Sequence, residues 1–421
     1  MVDLRQLREE TERFRKGAEN KGFKVNIDEV LRCDEERRRL QAAVDRRKQD
    51  LGLKSSRMKK VGDEERRKLQ NELKEFSRAI KIDEIKLRQK ESELEAGLLR
   101  IPNPPLENVP VGKDENENVE IRRWGDQPKF GFEPKDHVAL GTAHDLFDIE
   151  RGVKIAGSRS YYLKNEGAML ENALMRYAMD LLINRGYTPF TTPVIVREEC
   201  MVGSGYFPVG SEEAYEIEKD RLYLIGTSEV TLVSYHRDEI LPGEALPKKY
   251  AASTTCFRRE AGSYGKDTRG LFRVHQFQKI EQVVICRDDF EEMKRLHEEL
   301  LRNAEEIVQG LGLSYRVVEV CTGEMGMGQI KKHDIECWMP GRGGYGETHS
   351  CSSFGDFQSR RSKLRYKGAD GKNRFPFTLN NTAVASPRLL IAILETCQNQ
   401  DGSITVPAAL VPYMNGRTKI G

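Results

Sequence analysis

The chain has 421 residues, a mass of 48.1 kDa, 32% charged residues and a mean hydropathy of −0.63. That length exceeds one ordinary core and predicts two or three domains. The formal net charge is only +2, which excludes a bulk polycation, and no run approaches the ~18 apolar residues of a membrane-spanning helix.

The N-terminal residues Met1-Val2-Asp3-Leu4-Arg5, followed by Glu9 and Glu10, carry no apolar run and read as neither a signal nor a transit peptide. The eight cysteines stand at 33, 200, 256, 286, 321, 337, 351 and 397, with no CxxC pair. Reduced thiols and a cytoplasmic location are expected.

Residues 27–100 contain no proline and repeat apolar residues at helical spacing. Ile27, Leu31, Leu40, Val44 and Leu51 form one series; Leu69, Leu73, Phe76, Ile80, Leu87, Leu94 and Leu98 form the second. The second steps by three, four and seven, as a coiled-coil seam does, with Asp83 and Lys90 as flaws in it. Gly62 is expected to close the first helix and Asp63 to cap the second. The result is an antiparallel hairpin with arms of about 45–50 Å.

Residues 31–100 hold 21 Lys or Arg against 15 Asp or Glu, a net of +6. Toward the turn, Lys48, Lys54, Arg57, Lys59 and Lys60 face only Asp50 in the sequence. A basic tip on a stiff arm suits a phosphate backbone. A solvated dimerisation coil has the same pattern, and the residues alone leave both open.

Ile101-Pro102-Asn103-Pro104-Pro105 ends the second helix. Domain boundaries are set at 1–110 for the hairpin domain, 111–130 for a polar linker and 131–421 for the remainder. Beyond 130, short strand-like runs cluster around hairpins, with helical patterns near 167–184, 288–310 and 388–400. An α+β fold with a mostly antiparallel sheet is expected.

The chain lacks GxxxxGK[ST], a GxGxxG opening a βαβ unit, HExxH and any zinc-like cysteine cluster. Residues 256–281, from Cys256-Phe257-Arg258-Arg259-Glu260 to Phe277-Gln278-Lys279-Ile280-Glu281, nevertheless read as a nucleotide-binding hairpin. ATP needs arginines for its phosphates, oxygen ligands for Mg²⁺ and a ring for its base. Arg258 and Arg273 suit the phosphates, and in a regular strand Arg273, His275 and Phe277 share a face. Glu347 with Ser350 suits Mg²⁺, and Arg388, just after Pro387 at a helix start, can complete a phosphate clamp. Taken one at a time, each of these residues also has an ordinary structural explanation.

In order, these segments resemble the three signature motifs of class II aminoacyl-tRNA synthetases, and most closely the seryl-tRNA synthetases. Motif 1 matches 167–193, motif 2 matches 256–281 and motif 3 matches 379–398. Thr227-Ser228-Glu229, Asp356-Phe357-Gln358-Ser359-Arg360-Arg361 and the hairpin extend the match over essentially the whole chain.

The resemblance implies a class II antiparallel core and an ATP-dependent, AMP-forming ligation of serine to tRNA through seryl-adenylate. By it, Arg258 holds the α-phosphate and Arg273 and Arg388 the outer phosphates. Glu260 meets the adenine amino group and Phe277 stacks on the ring. Glu347 and Ser350 coordinate Mg²⁺. Thr227, Glu229, Arg258 and Glu281 surround serine, with its ammonium held chiefly by Thr227 and Glu281, and Asn380 and Thr382 lie near its side chain. His275 is a structural residue of the hairpin.

The resemblance also implies a homodimer, a tRNA(Ser) partner reached through the arm, and selenocysteine tRNA as a permitted second acceptor. Ser228, Thr348, His349, Ser353, Asn381, Ser386 and Pro387 depart from the common pattern. An amino-acid:carrier-protein ligase and a non-catalytic tRNA-binding paralogue are the rivals. The first lacks a long arm; the second would have lost Arg258, Arg273, Glu347 or Arg388.

Overall fold

The computed structural model describes residues 1–58, 61–262 and 269–421. The chain divides into two compact units: Val2–Glu19 with Phe23–Pro102, and Met1 and Asn20–Gly22 with Asn103–Gly421.

The smaller unit is built on two long helices, α1 (Ile27–Met58) and α2 (Asp63–Leu98), which pack along their length. Asn26 caps α1, its side chain accepting from the Glu29 N–H at 3.1 Å. Val30 and Val44 from α1 and Leu69, Ile80, Leu87, Leu94 and Leu98 from α2 are buried.

The turn differs from expectation. The described part of the first helix runs to Met58, and Gly62 is itself the extended residue before α2. Asp63 is the first helical residue; with Glu64 and Glu65 it places negative charge where the helix dipole favours it. The seam flaws are met by ions: Asp83 pairs with Arg47 of the opposite helix, and Lys90 reaches Glu36 at 2.9 Å and Glu93 at 2.7 Å.

The larger unit is organised by an eight-stranded sheet. Its strands are β1 (Val119–Trp124), β2 (Thr188–Phe190), β3 (Lys248–Phe257), β4 (Gln276–Cys286), β5 (Tyr315–Glu319), β6 (Lys331–Met339), β7 (Gly344–Gly355) and β8 (Phe377–Ala385). Their spatial order is β1-β5-β6-β7-β8-β4-β3-β2. All neighbours run antiparallel except β2, which lies parallel to β3. Six of the residues expected as a linker, 119–124, are therefore part of the sheet: β1 pairs with β5 as its edge strand. Polarity misled there, because an edge strand with five of six residues exposed looks like a loop in sequence.

Three helices, α3 (Asn165–Asn184), α4 (Phe290–Gly310) and α5 (Ser386–Thr396), pack with the sheet around the main core. Helix α5 is apolar nearly all round, and Leu389 through Leu394 are all buried. Strand alternation separates two surfaces. Ile280, Val284, Ile335, Cys337, Leu379 and Ala383 join that core. Lys279, Glu281, Lys332, Asp334, Asn380 and Thr382 stand at the alternate positions and define the opposite face. No helix among the described residues is long and apolar enough to cross a membrane, and all eight cysteines are free thiols.

Candidate active site

Strands β3 and β4 pair from Phe257↔Gln276 to Lys248↔Ile285. Arg258, Glu260, Arg273 and His275 therefore lie beyond the ladder, in the connection between the strands. The condition for a shared strand face is not met, since of Arg273, His275 and Phe277 only Phe277 lies in β4. Backbone bonds still hold the connection: Arg258 N–H donates to His275 O at 2.9 Å, and His275 Nδ1 lies 2.9 Å from Arg258 O. His275 is a pin in the hairpin. Residues 263–268 lie outside the described residues.

Gly270 is required where the connection returns. Its φ is +77°, and a Cβ there would sit 2.1 Å from His137 Nε2. His137 accepts from Leu271 N–H at 3.2 Å while its other nitrogen lies 2.8 Å from Glu395 of α5.

The arginines are positioned by different means. Arg258 lies with its guanidinium 5.4 Å from the Phe277 ring centroid and donates to Gly226 O at 3.3 Å. Arg273 donates to Glu260 at 3.2 Å. Glu260 has φ +54°, a left-handed conformation that few side chains adopt and that is tolerated where the surroundings enforce it. Arg388, in the first turn of α5, donates to Glu347 O at 2.8 Å and Phe272 O at 3.3 Å, and lies 4.5 Å over the Phe272 ring.

Arg388 is also 3.3 Å from the Glu347 carboxylate. Burial opposes charge on Glu347, but Arg388, Lys332 and Arg258 override it and hold the group down at about 2. Its side chain is 44% accessible because it faces the open cavity, with protein around it. Ser350 stands in register opposite Asp334. Asp334 is pushed up to about 6 by burial, against the pull of Lys332 at 3.0 Å.

A cavity of about 310 Å³ gathers eight of the twelve expected ligands of ATP and serine: Arg258, Glu260, Arg273, Phe277, Glu347, Ser350, Thr382 and Arg388. Thr227, Glu229, Glu281 and Asn380 are buried and do not line it. Thr382 pairs with Glu281 across β8 and β4, while Asn380 pairs with Val283. Glu229 accepts from Gln358 at 2.6 Å and Tyr206 at 3.3 Å. Burial and the neighbouring Glu281 raise its carboxyl to about 7.

Most departures from the family pattern serve packing. Ser353 bonds His297 at 2.8 Å, Asn381 donates to Leu300 O at 2.7 Å and Ser386 donates to Glu171 at 2.6 Å. Thr348 and His349 line the cavity, yet Thr348 donates to Ile335 O at 3.1 Å and His349 Nε2 lies 3.1 Å from Ala383 O. Burial lowers His349 to about 4, so it is neutral near pH 7.

A model of the seryl-tRNA synthetase N-terminal domain matches residues 1–105, and one of the class II core domain shared by G, H, P, S and T tRNA synthetases matches 213–397. The serine--tRNA ligase of Deinococcus radiodurans is 44% identical, spanning 100% of this chain and 99% of that protein. The chain belongs to the seryl-tRNA synthetase family. The Treponema denticola serine--tRNA ligase is 43% identical, with complete coverage of both chains. Among solved structures, a seryl-tRNA synthetase from Pyrococcus horikoshii complexed with ATP superposes with a TM-score of 0.92 at 37% identity, covering 100% of this chain and 99% of that one.

Against this family frame, Lys279, Lys332, Asp334, Gln358 and Tyr206 are additions that sequence reasoning did not assign. Lys279 was detectable, since Phe277, Lys279 and Glu281 alternate along one strand. Gln358 carries no local signal: it meets Glu229 across 129 positions of chain.

On the hairpin, the basic run is less bare than its sequence. Lys48 reaches Glu84 at 2.8 Å, Lys54 reaches Glu72 at 2.5 Å and Arg57 reaches Glu65 at 2.7 Å. Antiparallel pairing supplies acids that a linear count misses. Ion pairs at the surface hold their partners weakly, so a polyanion can compete for these cations. Lys59 and Lys60 lie outside the described residues.

Proposed function

We propose that the chain activates L-serine with ATP and transfers it to the 3′ end of tRNA(Ser), acting as a cytoplasmic homodimer. The observation that carries the chemistry is the convergence of Arg258, Arg273, Arg388 and Glu347 on one cavity, beside the enclosed Thr227–Glu229–Glu281 cluster.

In the first step a serine carboxylate oxygen attacks the α-phosphorus. The bond to the bridging β-phosphate oxygen breaks, and pyrophosphate leaves. Arg258 sits where the α-phosphate charge develops, and Arg273 and Arg388 where the leaving group does. Phe277 supports the adenine with Glu260 at its amino group. In the second step a ribose hydroxyl of the tRNA end attacks the activated carbonyl carbon; the bond from that carbon to the phosphate oxygen breaks, AMP leaves with the electron pair, and the hydroxyl proton passes to the leaving phosphate or to water. Neither step needs an enzyme nucleophile; alignment and charge complementarity supply the catalysis.

The ionised Glu347, the Ser350 hydroxyl and nearby Asp334 form an oxygen donor set that fits Mg²⁺. Among the described residues no group of three or more His, Cys, Asp or Glu is suited to a metal, so a Mg²⁺ held here would take its remaining ligands from substrate oxygens or water. Bound there, Mg²⁺ would neutralise phosphate charge.

The test is ATP–pyrophosphate exchange with serine, threonine, alanine, cysteine and glycine, followed by tRNA charging. Serine alone should support exchange. Exchange with alanine or glycine instead would favour the carrier-protein ligase. Folded dimer with no exchange would leave the tRNA-binding paralogue.

Two further results are expected. Phe277→Ala should raise the KM for ATP by ~10-fold, because an aromatic stack on a base contributes about 1–3 kcal/mol; an unchanged KM would remove Phe277 from the adenine site. Serine affinity should fall as pH drops through about 7. Below that value Glu229 is mostly protonated, and an incoming ammonium must expel its proton. Calorimetry across pH should show a limiting slope of about tenfold per unit, which Glu229→Gln removes.

A further inference from the structure

Lys279 raises a question that the proposed chemistry does not answer. Its ammonium donates to Thr227 Oγ1 at 2.7 Å and pairs with the Glu281 carboxylate. Thr227 and Glu281 are the two residues expected to hold the ammonium of serine. Lys279 lines the cavity; Thr227, Glu229 and Glu281 do not. They are 1%, 6% and 2% exposed, behind it.

We infer that Lys279 is a resident substitute for the substrate ammonium: it plugs the amino-acid pocket and is displaced when serine enters. This rests on the serine pocket proposed above.

The exchange is chemically economical. A buried carboxylate left without its cation is strongly destabilised, so an empty anionic pocket is unfavourable. An internal ammonium meets that need without substrate. An incoming ammonium of the same charge and donor number can take over its partners, so no carboxylate is stranded. The displaced lysine has a destination, because the cavity it borders carries Glu260, Glu324 and Glu347. The charged and titratable groups around it are Glu281 on β4, Cys256 and Arg258 at the end of β3, Glu229 beyond Thr227, and Tyr206. A ligand without an ammonium has nothing to offer these carboxylates in exchange. The plug therefore favours amino acids over hydroxy acids before any side-chain contact is made.

The test is calorimetric titration of L-serine into the full chain and into Lys279→Met, at pH 8.5, above the Glu229 carboxyl. Removing the plug should tighten serine binding by ~10-fold, because substrate no longer competes with an internal cation. ATP affinity should be unchanged. A Kd raised by ~10-fold, with ATP binding intact, would overturn the inference and make Lys279 a fixed support of Glu281. Should the variant fail to fold, the wild-type chain decides. A crystal structure with saturating L-serine must show the Lys279–Thr227 contact broken, and its persistence beside bound serine sinks the proposal. If wild-type protein binds no serine but binds another amino acid, the pocket assignment has failed and not the plug; the same titration with that amino acid then tests the plug.

Discussion

Arg258→Ala is expected to lower serine-dependent ATP–pyrophosphate exchange by ~10³-fold, with the melting temperature little changed. The expectation follows from where Arg258 sits. It closes β3, lies over Phe277 and lines the same cavity as Glu347, Arg273 and Arg388. Among the described residues its side chain donates to Gly226 O alone, at 3.3 Å, which leaves most of its donors for a phosphate. A cation at the point where charge develops acts on the transition state more than on the bound ground state, so kcat should carry most of the loss. Arg258→Lys should restore little, because an ammonium offers neither the planar stack on Phe277 nor a two-pronged donor. Steady-state exchange with saturating serine and ATP measures this. A loss below about tenfold would place the α-phosphate elsewhere.

The second large effect separates the two units. Replacing the outer half of the hairpin, residues 45–80, with a short turn should lower kcat/KM for tRNA charging by ~10³-fold while leaving exchange within about twofold of wild type. The exchange site is built wholly from residues of the larger unit. The removed segment carries the exposed Lys48 and Arg57 and the half-buried Lys54, whose surface ion pairs give way readily to a polyanion. A matching sign is a weaker salt dependence of tRNA binding. Undiminished charging would make the hairpin a structural or oligomerisation device. Loss of exchange as well would mean that the deletion had damaged the core.

Particular residues show what could be read early. Helix α5 was visible because Leu389 through Leu394 form an unbroken apolar run behind Pro387. The two long helices were visible because their apolar residues repeat over many turns, which few other structures require. Strand β1 was missed because an edge strand hides only one flank and need not be apolar. Gly62 is expected to close α1 and instead stands extended just before α2, since a glycine serves before a helix as well as after one.

For the site, Arg258, Arg273, Phe277, Glu347, Ser350 and Arg388 follow from residue type, Glu260 and Thr382 from the family resemblance, and one cavity holds all eight. Their state was not legible. Glu347 is held down at about 2 and Glu229 raised to about 7, although both are glutamates in polar stretches. The difference is that Arg388, Lys332 and Arg258 surround the first, while burial and a second carboxylate surround the second.

Periodicity and residue type were thus enough to set the α+β class and the helical hairpin, and the resemblance carried by the ordered motifs pointed to the family and to the charged residues proposed as ligands. These depend on local preference and on chemistry that each residue carries with it. The tertiary structure alone decided that Lys279 covers Thr227 and Glu281, that Gln358 and Tyr206 hold Glu229, and that acids of α2 answer the bases of α1. Contacts between residues far apart in the chain, and the burial that sets their charge, exist only once the chain has folded.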